Sequence, residues 1–112
     1  MEEKKLIIKS FDSEGTFGYK QITTFFEDFS IADNYGLNAI KDTYKRALES
    51  AKALGYKYLT ELVMILNWKA WEHAEHDKEK SELYISLYEE ADTYALDNLK
   101  GEELSYFLDT TD

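Results

Sequence analysis

The chain contains no cysteine, no proline and only five glycines in 112 residues. Without cysteine there is no disulfide framework, no thiolate metal site and no thiol nucleophile or redox couple. Without proline, no helix is interrupted by one. Long apolar runs are missing as well. No stretch approaches the ~18 apolar residues of a membrane span, and Leu6 to Ile8, after Met-Glu-Glu-Lys-Lys, fall far short of a secretory h-region. The expectation is a soluble, intracellular protein with no membrane contact. Basic residues are scarce in one half only. Residues 1–71 hold ten acids and ten bases, whereas 72–112 hold thirteen acids against Lys78, Lys80 and Lys100, so the net charge of −10 sits in the last 41 residues. A surface of that sign repels nucleic acid and anionic lipid, and it favours a basic protein partner.

At 112 residues and 44% hydrophobic content the chain is read as one domain spanning 1–112. The reading is mainly α: a compact bundle of about four helices over 24–108, preceded by an N-terminal β-hairpin over 1–21. Lys4 to Phe11 and Thr16 to Gln21 supply the two strands around the turn signal Asp12-Ser-Glu-Gly15. Two strands alone are marginal in water, so the hairpin is expected to lie on the helices or to pair with a second copy as a homodimer. Thr24 reads as the N-cap of a first helix in which Phe25, Phe29 and Ala32 share a face, ended by Asn34-Tyr-Gly36.

The clearest period follows. Leu37, Ile40, Tyr44, Ala47, Leu48, Ala51 and Leu54 form one stripe, with Lys41, Lys45, Arg46 and Lys52 outside it and Gly55 as the terminator. Leu62 to Leu66 is apolar all round, as in a helix buried on several sides, with Thr60 as its expected cap and Trp68 and Trp71 adding large area near its end. After a polar break at Asp77 to Lys80, Ser81 is read as the cap of a long helix. Leu83, Tyr84, Leu87, Tyr88, Ala91, Tyr94, Ala95 and Leu99 line its inner stripe. Glu102 to Leu108 reads as a short terminal helix, with Thr110 onward frayed.

The densest chemical cluster is Glu72-His-Ala-Glu-His-Asp77. On a helix His73 and His76 stand at i, i+3 and Glu72 and His76 at i, i+4, so imidazole and carboxylate ligands could converge on a metal. The pattern departs from His-Glu-x-x-His, and no second Glu-x-x-His or third histidine exists to complete a di-iron site. Histidines also suit the negative end of a helix dipole without any metal. No serine stands in a glycine-flanked elbow, so neither an enzyme nor a cofactor is expected. The remaining acids read as a surface: Glu72, Glu75, Asp77, Glu79, Glu82, Glu89, Glu90, Asp92, Asp97, Glu102 and Glu103. Beside them, Tyr88 and Tyr106 supply the aromatic component of a face that docks an arginine-bearing partner. A solvated helix face is the plainer reading of such acids. Solubility alone, however, does not require thirteen acids against three bases, and carboxylates on rigid helices can imitate a line of phosphates.

Phe26-Glu-Asp-Phe-Ser-Ile-Ala-Asp33, Tyr58-Lys-Tyr-Leu-Thr-Glu-Leu-Val63, Leu66-Asn-Trp-Lys69 and Asn98-Leu-Lys-Gly-Glu-Glu-Leu-Ser-Tyr106 resemble segments of small acidic proteins of phages and prophages of Gram-positive bacteria. The resemblance covers the chain from Thr24 onward and carries no catalytic motif. It implies a phage context, in the cytoplasm of the host bacterium. There, small acidic cysteine-free proteins resemble inhibitors of host defence, anti-CRISPR proteins among them, that bind a Cas nuclease or another basic nucleic-acid-handling effector as DNA mimics. A second expectation is a dimerising phage accessory or structural protein whose acidity serves solubility. A third is a metal-binding protein using Glu72 to Asp77.

Overall fold

Helical periodicity runs through the chain with almost no interruption, and five helices result. The computed structural model describes residues 17–111, with side chains described from Phe25 onward. The helices are α1 (Phe17–Asp33), α2 (Leu37–Leu54), α3 (Tyr56–His73), α4 (Lys78–Asn98) and α5 (Glu102–Thr111). No strand occurs among the described residues. The first strand of the expected hairpin lies outside them. The second is corrected, because Phe17 to Gln21 open α1 and Thr24 is an interior helical residue rather than a cap. The alternation of Phe17 and Tyr19 is only two residues long. Phe17, Phe25 and Phe29 stand at multiples of four and continue a helical phase. Two threonines cost a helix at most ~0.7 kcal/mol each, too little to end it.

Two glycines set the joints. Gly36 (φ 105°, ψ −175°) and Gly55 (φ 124°, ψ 175°) precede α2 and α3 in backbone conformations that L side chains rarely adopt. Gly55 also terminates α2, its N–H donating to the Ala51 carbonyl, so one residue separates the two helices. Two expected caps are therefore corrected. Thr60 sits a full turn inside α3, its hydroxyl donating back to the Tyr56 carbonyl at 2.8 Å. Ser81 is likewise interior to α4, which begins at Lys78 and is capped by the Asp77 carboxylate accepting from the Lys80 N–H.

α3 is the central element. It packs most extensively on α4 and also contacts α1, α2 and α5. Its Leu62, Val63, Ile65 and Leu66 are all buried, which explains why the segment is apolar on every side. The α2 stripe supplies Ile40, Tyr44, Ala47 and Ala51 to the same core, and α4 supplies Tyr84, Leu87, Ala91, Ala95 and Leu99. α1 contributes Phe25, Phe29 and Ala32, and α5 contributes Phe107. The lysines and Arg46 named on α2 are exposed, as their phase requires. Trp68 and Trp71 add little to the core, at 60% and 73% exposed, although Trp68 meets Phe26 edge-on with centroids 5.9 Å apart. No helix among the described residues is long and apolar enough to cross a membrane.

Candidate functional site

The C-terminal ends of α1 and α3 and the start of α4 converge on a buried polar cluster. Lys69 lies on the helix face that turns into the core and is fully buried. Its ammonium donates to Asp33 Oδ2 at 2.8 Å, to Glu72 Oε1 at 3.1 Å and to Ser30 Oγ at 3.4 Å, and it stands 4.7 Å from the centre of the Phe26 ring. Besides the lysine, Asp33 accepts from two further groups: the Tyr84 hydroxyl on Oδ1 at 2.6 Å and His73 Nε2 on Oδ2 at 3.0 Å. With a carboxylate as acceptor, the His73 proton belongs on Nε2. The His73 and Tyr84 rings run parallel, 5.7 Å apart. Burial alone would raise the Asp33 carboxyl, but hydrogen bonds from Lys69, Tyr84 and His73 outweigh it and hold the group below the usual carboxylate range. Burial, then the neighbouring Asp33, pushes the Tyr84 phenol up.

The same corner is tied by two backbone locks. Lys80 Nζ donates to the Asp33 carbonyl at 2.8 Å, capping the end of α1, where a terminal acid alone would oppose the helix dipole. Ser81 Oγ donates to the Ala70 carbonyl at 2.8 Å, a buried bond that fixes α4 on α3.

The expected metal cluster is rearranged by this geometry. His73 turns inward to Asp33, while Glu75 and His76 are exposed, and the His73 and His76 ring centres are 6.3 Å apart. Ligand atoms of Asp33, Glu72 and His73 do lie within 4.8 Å of one another. The Lys69 ammonium already bonds two of these three groups, so a cation there would have to displace it. The arrangement is a network of ion pairs and hydrogen bonds that joins α1, α3 and α4. Sequence reading singled out Glu72 and His73 and missed Asp33, Lys69 and Tyr84. The signal for them was Lys69 itself, a lone base at i+7 from Leu62 and i+3 from Leu66, on the phase of the apolar segment, which demands a buried acid from another helix.

The acids expected as a surface are mostly outward. Glu72, Glu75, Glu79, Glu82, Glu89, Glu90, Asp97, Glu102 and Glu103 are exposed, and Asp77 and Asp92 are half-buried. At about 100° per residue, Glu79, Glu82, Glu89, Glu90 and Asp97 fall within roughly 100° of arc on α4, opposite its buried stripe. They form a ridge about 27 Å long at 1.5 Å per residue. Asp92 lies off this arc, and burial raises its carboxyl. Asp77 is engaged as the α4 cap. Beneath α5 a further acid is hidden: Glu61 is 4% exposed, its Oε1 has no hydrogen-bond partner, and burial pushes its carboxyl up to about 8. Tyr106 of α5 is pushed up by its own burial and then by Glu61.

Compared with models of known protein families, with curated proteins and with solved structures, the chain matches none.

Proposed function

We propose that the chain is a phage-type inhibitor of host defence, an anti-CRISPR protein that sets the α4 ridge and the neighbouring acids of α5 into the basic nucleic-acid channel of a Cas effector. The observation that carries the reading is the ridge: five exposed carboxylates on one side of α4, with Lys80 drawn inward to Asp33 and Asp77 instead of neutralising them. Over about 27 Å the ridge is sparser than duplex DNA, which carries one charge per ~1.7 Å. It matches a single row of lysines and arginines better than a groove built for both strands. Such a surface acts through steering and summed charge, so affinity falls with salt and no single carboxylate dominates.

The test is a pull-down and competition assay with a Cas effector, with and without guide RNA and target DNA. The parent is compared with a variant carrying Glu82→Gln, Glu89→Gln, Glu90→Gln and Asp97→Asn together. The expected result is competition with DNA by the parent and its loss in the variant. Undiminished binding by a folded variant would refute the ridge as the contact.

One observation favours the second reading, a dimerising accessory protein: Trp68 and Trp71 are exposed one turn apart on α3. Light scattering decides between them. A stable dimer that binds no basic effector, and that Trp71→Ala dissociates, would replace the inhibitor reading.

A further inference from the structure

A groove lies between α2 and α4, away from the α1–α3 cluster, with a volume of about 610 Å³. Leu48, Leu83 and Leu87 make its apolar wall. One end carries Lys41 and Lys45, both exposed, on successive turns of α2. The other end carries Glu49 and Glu90, also exposed. Lys45 and Glu49 stand at i, i+4 with the base first, the less favourable order, and among the described residues neither lysine nor either glutamate is held in an ion pair. At the floor, Tyr44 is 4% exposed and its hydroxyl makes no well-formed hydrogen bond, the Glu90 carboxylate beside it being the acceptor that acts on it. Burial and then that carboxylate push the phenol up, so it stays a neutral hydroxyl.

A buried hydroxyl without a well-formed hydrogen bond, beneath an apolar groove with unpaired charges of opposite sign at its two ends, is incomplete as pure structure. We infer that the α2–α4 groove is a binding site for a small amphipathic zwitterion, its anionic end on Lys41 and Lys45 and its ammonium on Glu90 over the Tyr44 hydroxyl. The volume falls in the ~300–1,000 Å³ range of small-molecule sites. From Lys41 to Glu49 the groove runs only about 12 Å along the helix, too short for the ~800 Å² a protein partner covers. A plain anion would meet Glu49 and Glu90, and a plain cation would meet the lysines. The fitting ligand therefore carries both charges, about 6–12 Å apart, across a short apolar body such as an ω-amino acid or a small apolar peptide. This site does not depend on the inhibitor reading.

The test is amide chemical-shift titration of the full chain with 6-aminohexanoate, with hexanoate and hexylamine as probes carrying one charge each. The expected shifts cluster in 41–49 and 83–90, and 6-aminohexanoate binds at least about tenfold tighter than either control. Lys41→Gln with Lys45→Gln, at the exposed rim, weakens it by about tenfold or more. Tyr44→Phe keeps the buried ring and removes a hydroxyl whose polar neighbour is the exposed Glu90, so it stays folded and also weakens binding. No shifts in the groove, equal affinity for the three probes, or undiminished affinity in both variants would overturn the inference.

Discussion

Replacing Asp33 by Asn tests how the junction of α1, α3 and α4 is held. The parent buries the Lys69 ammonium completely and neutralises it chiefly with Asp33 at 2.8 Å. Removing one partner of a buried pair leaves an uncompensated charge and costs about 3–5 kcal/mol. Here Glu72, 3.1 Å away and half-exposed, remains as a partial counter-ion, so the lower end of that range applies. A loss of ~3 kcal/mol is a large share of the ~5–15 kcal/mol that stabilises a domain. With a urea slope of ~1–3 kcal/mol per molar it moves the unfolding midpoint down by more than ~1 M, read by far-UV circular dichroism.

Lys69→Met should cost less, because Asp33 keeps the Tyr84 hydroxyl and His73. Combining the two changes removes both charges, so the double variant should be more stable than the sum of the single losses implies, by at least ~1 kcal/mol. The pH dependence follows the same logic. The folded Asp33 pKa is below its unfolded value, so its contribution is present above about pH 4 and is lost as pH falls through the folded pKa. Asp33→Asn lacks that acid limb. A single-variant loss under ~0.5 kcal/mol, or strict additivity in the cycle, would refute the placement of Lys69 beside Asp33.

Glu61→Gln probes the opposite sign. A carboxyl whose folded pKa is raised to about 8 stabilises fully below its unfolded pKa, and that contribution is lost as pH rises toward 8. The Gln variant should therefore match the parent near pH 4 and exceed it by at least ~2 kcal/mol at pH 9, and parallel profiles would contradict the burial of Glu61. Gly55→Ala meets no atom within 4 Å, so its cost is conformational, and the φ of 124° should destabilise by about 1–3 kcal/mol in a urea melt. Added salt should raise the melting temperature by about 2–4 °C, because screening relieves the repulsion of a chain at −10; a fall would mean the ion pairs outweigh the ridge.

The α2 and α4 stripes were legible in the sequence because helical phase depends only on spacing, and one buried face satisfies it whatever the neighbours are. The starts of the helices were not. Thr24, Thr60 and Ser81 carry the right side chains for caps, yet each lies inside a helix, because the caps are supplied one turn earlier by Gly55 and Asp77 or because α1 simply continues. A hydroxyl residue in the first turn is chemically the same as one at the cap, and only the backbone tells them apart. The polar cluster was half visible. Glu72 and His73 announce themselves by density, whereas Asp33 and Tyr84 lie 40 and 51 residues from the groups they bond and need the tertiary fold to meet them.

The cluster and the ridge are linked by where the cations go. Lys69 is committed to Asp33 and Glu72, and Lys80 to the end of α1 and Asp77, so two of the bases nearest the acidic half point inward. The acids of the α4 arc are left to solvent or to a partner, with Lys78 and Lys100 as the exposed bases of the C-terminal half. The buried network thus sets the outer charge without touching it. Asp33→Asn, studied below its unfolding transition, should bind a basic effector as tightly as the parent does. The four-residue ridge variant should melt at or above the parent temperature while losing that binding. If Asp33→Asn abolished binding while folded, the contact surface would lie at the cluster and its neighbour Trp71 rather than along α4.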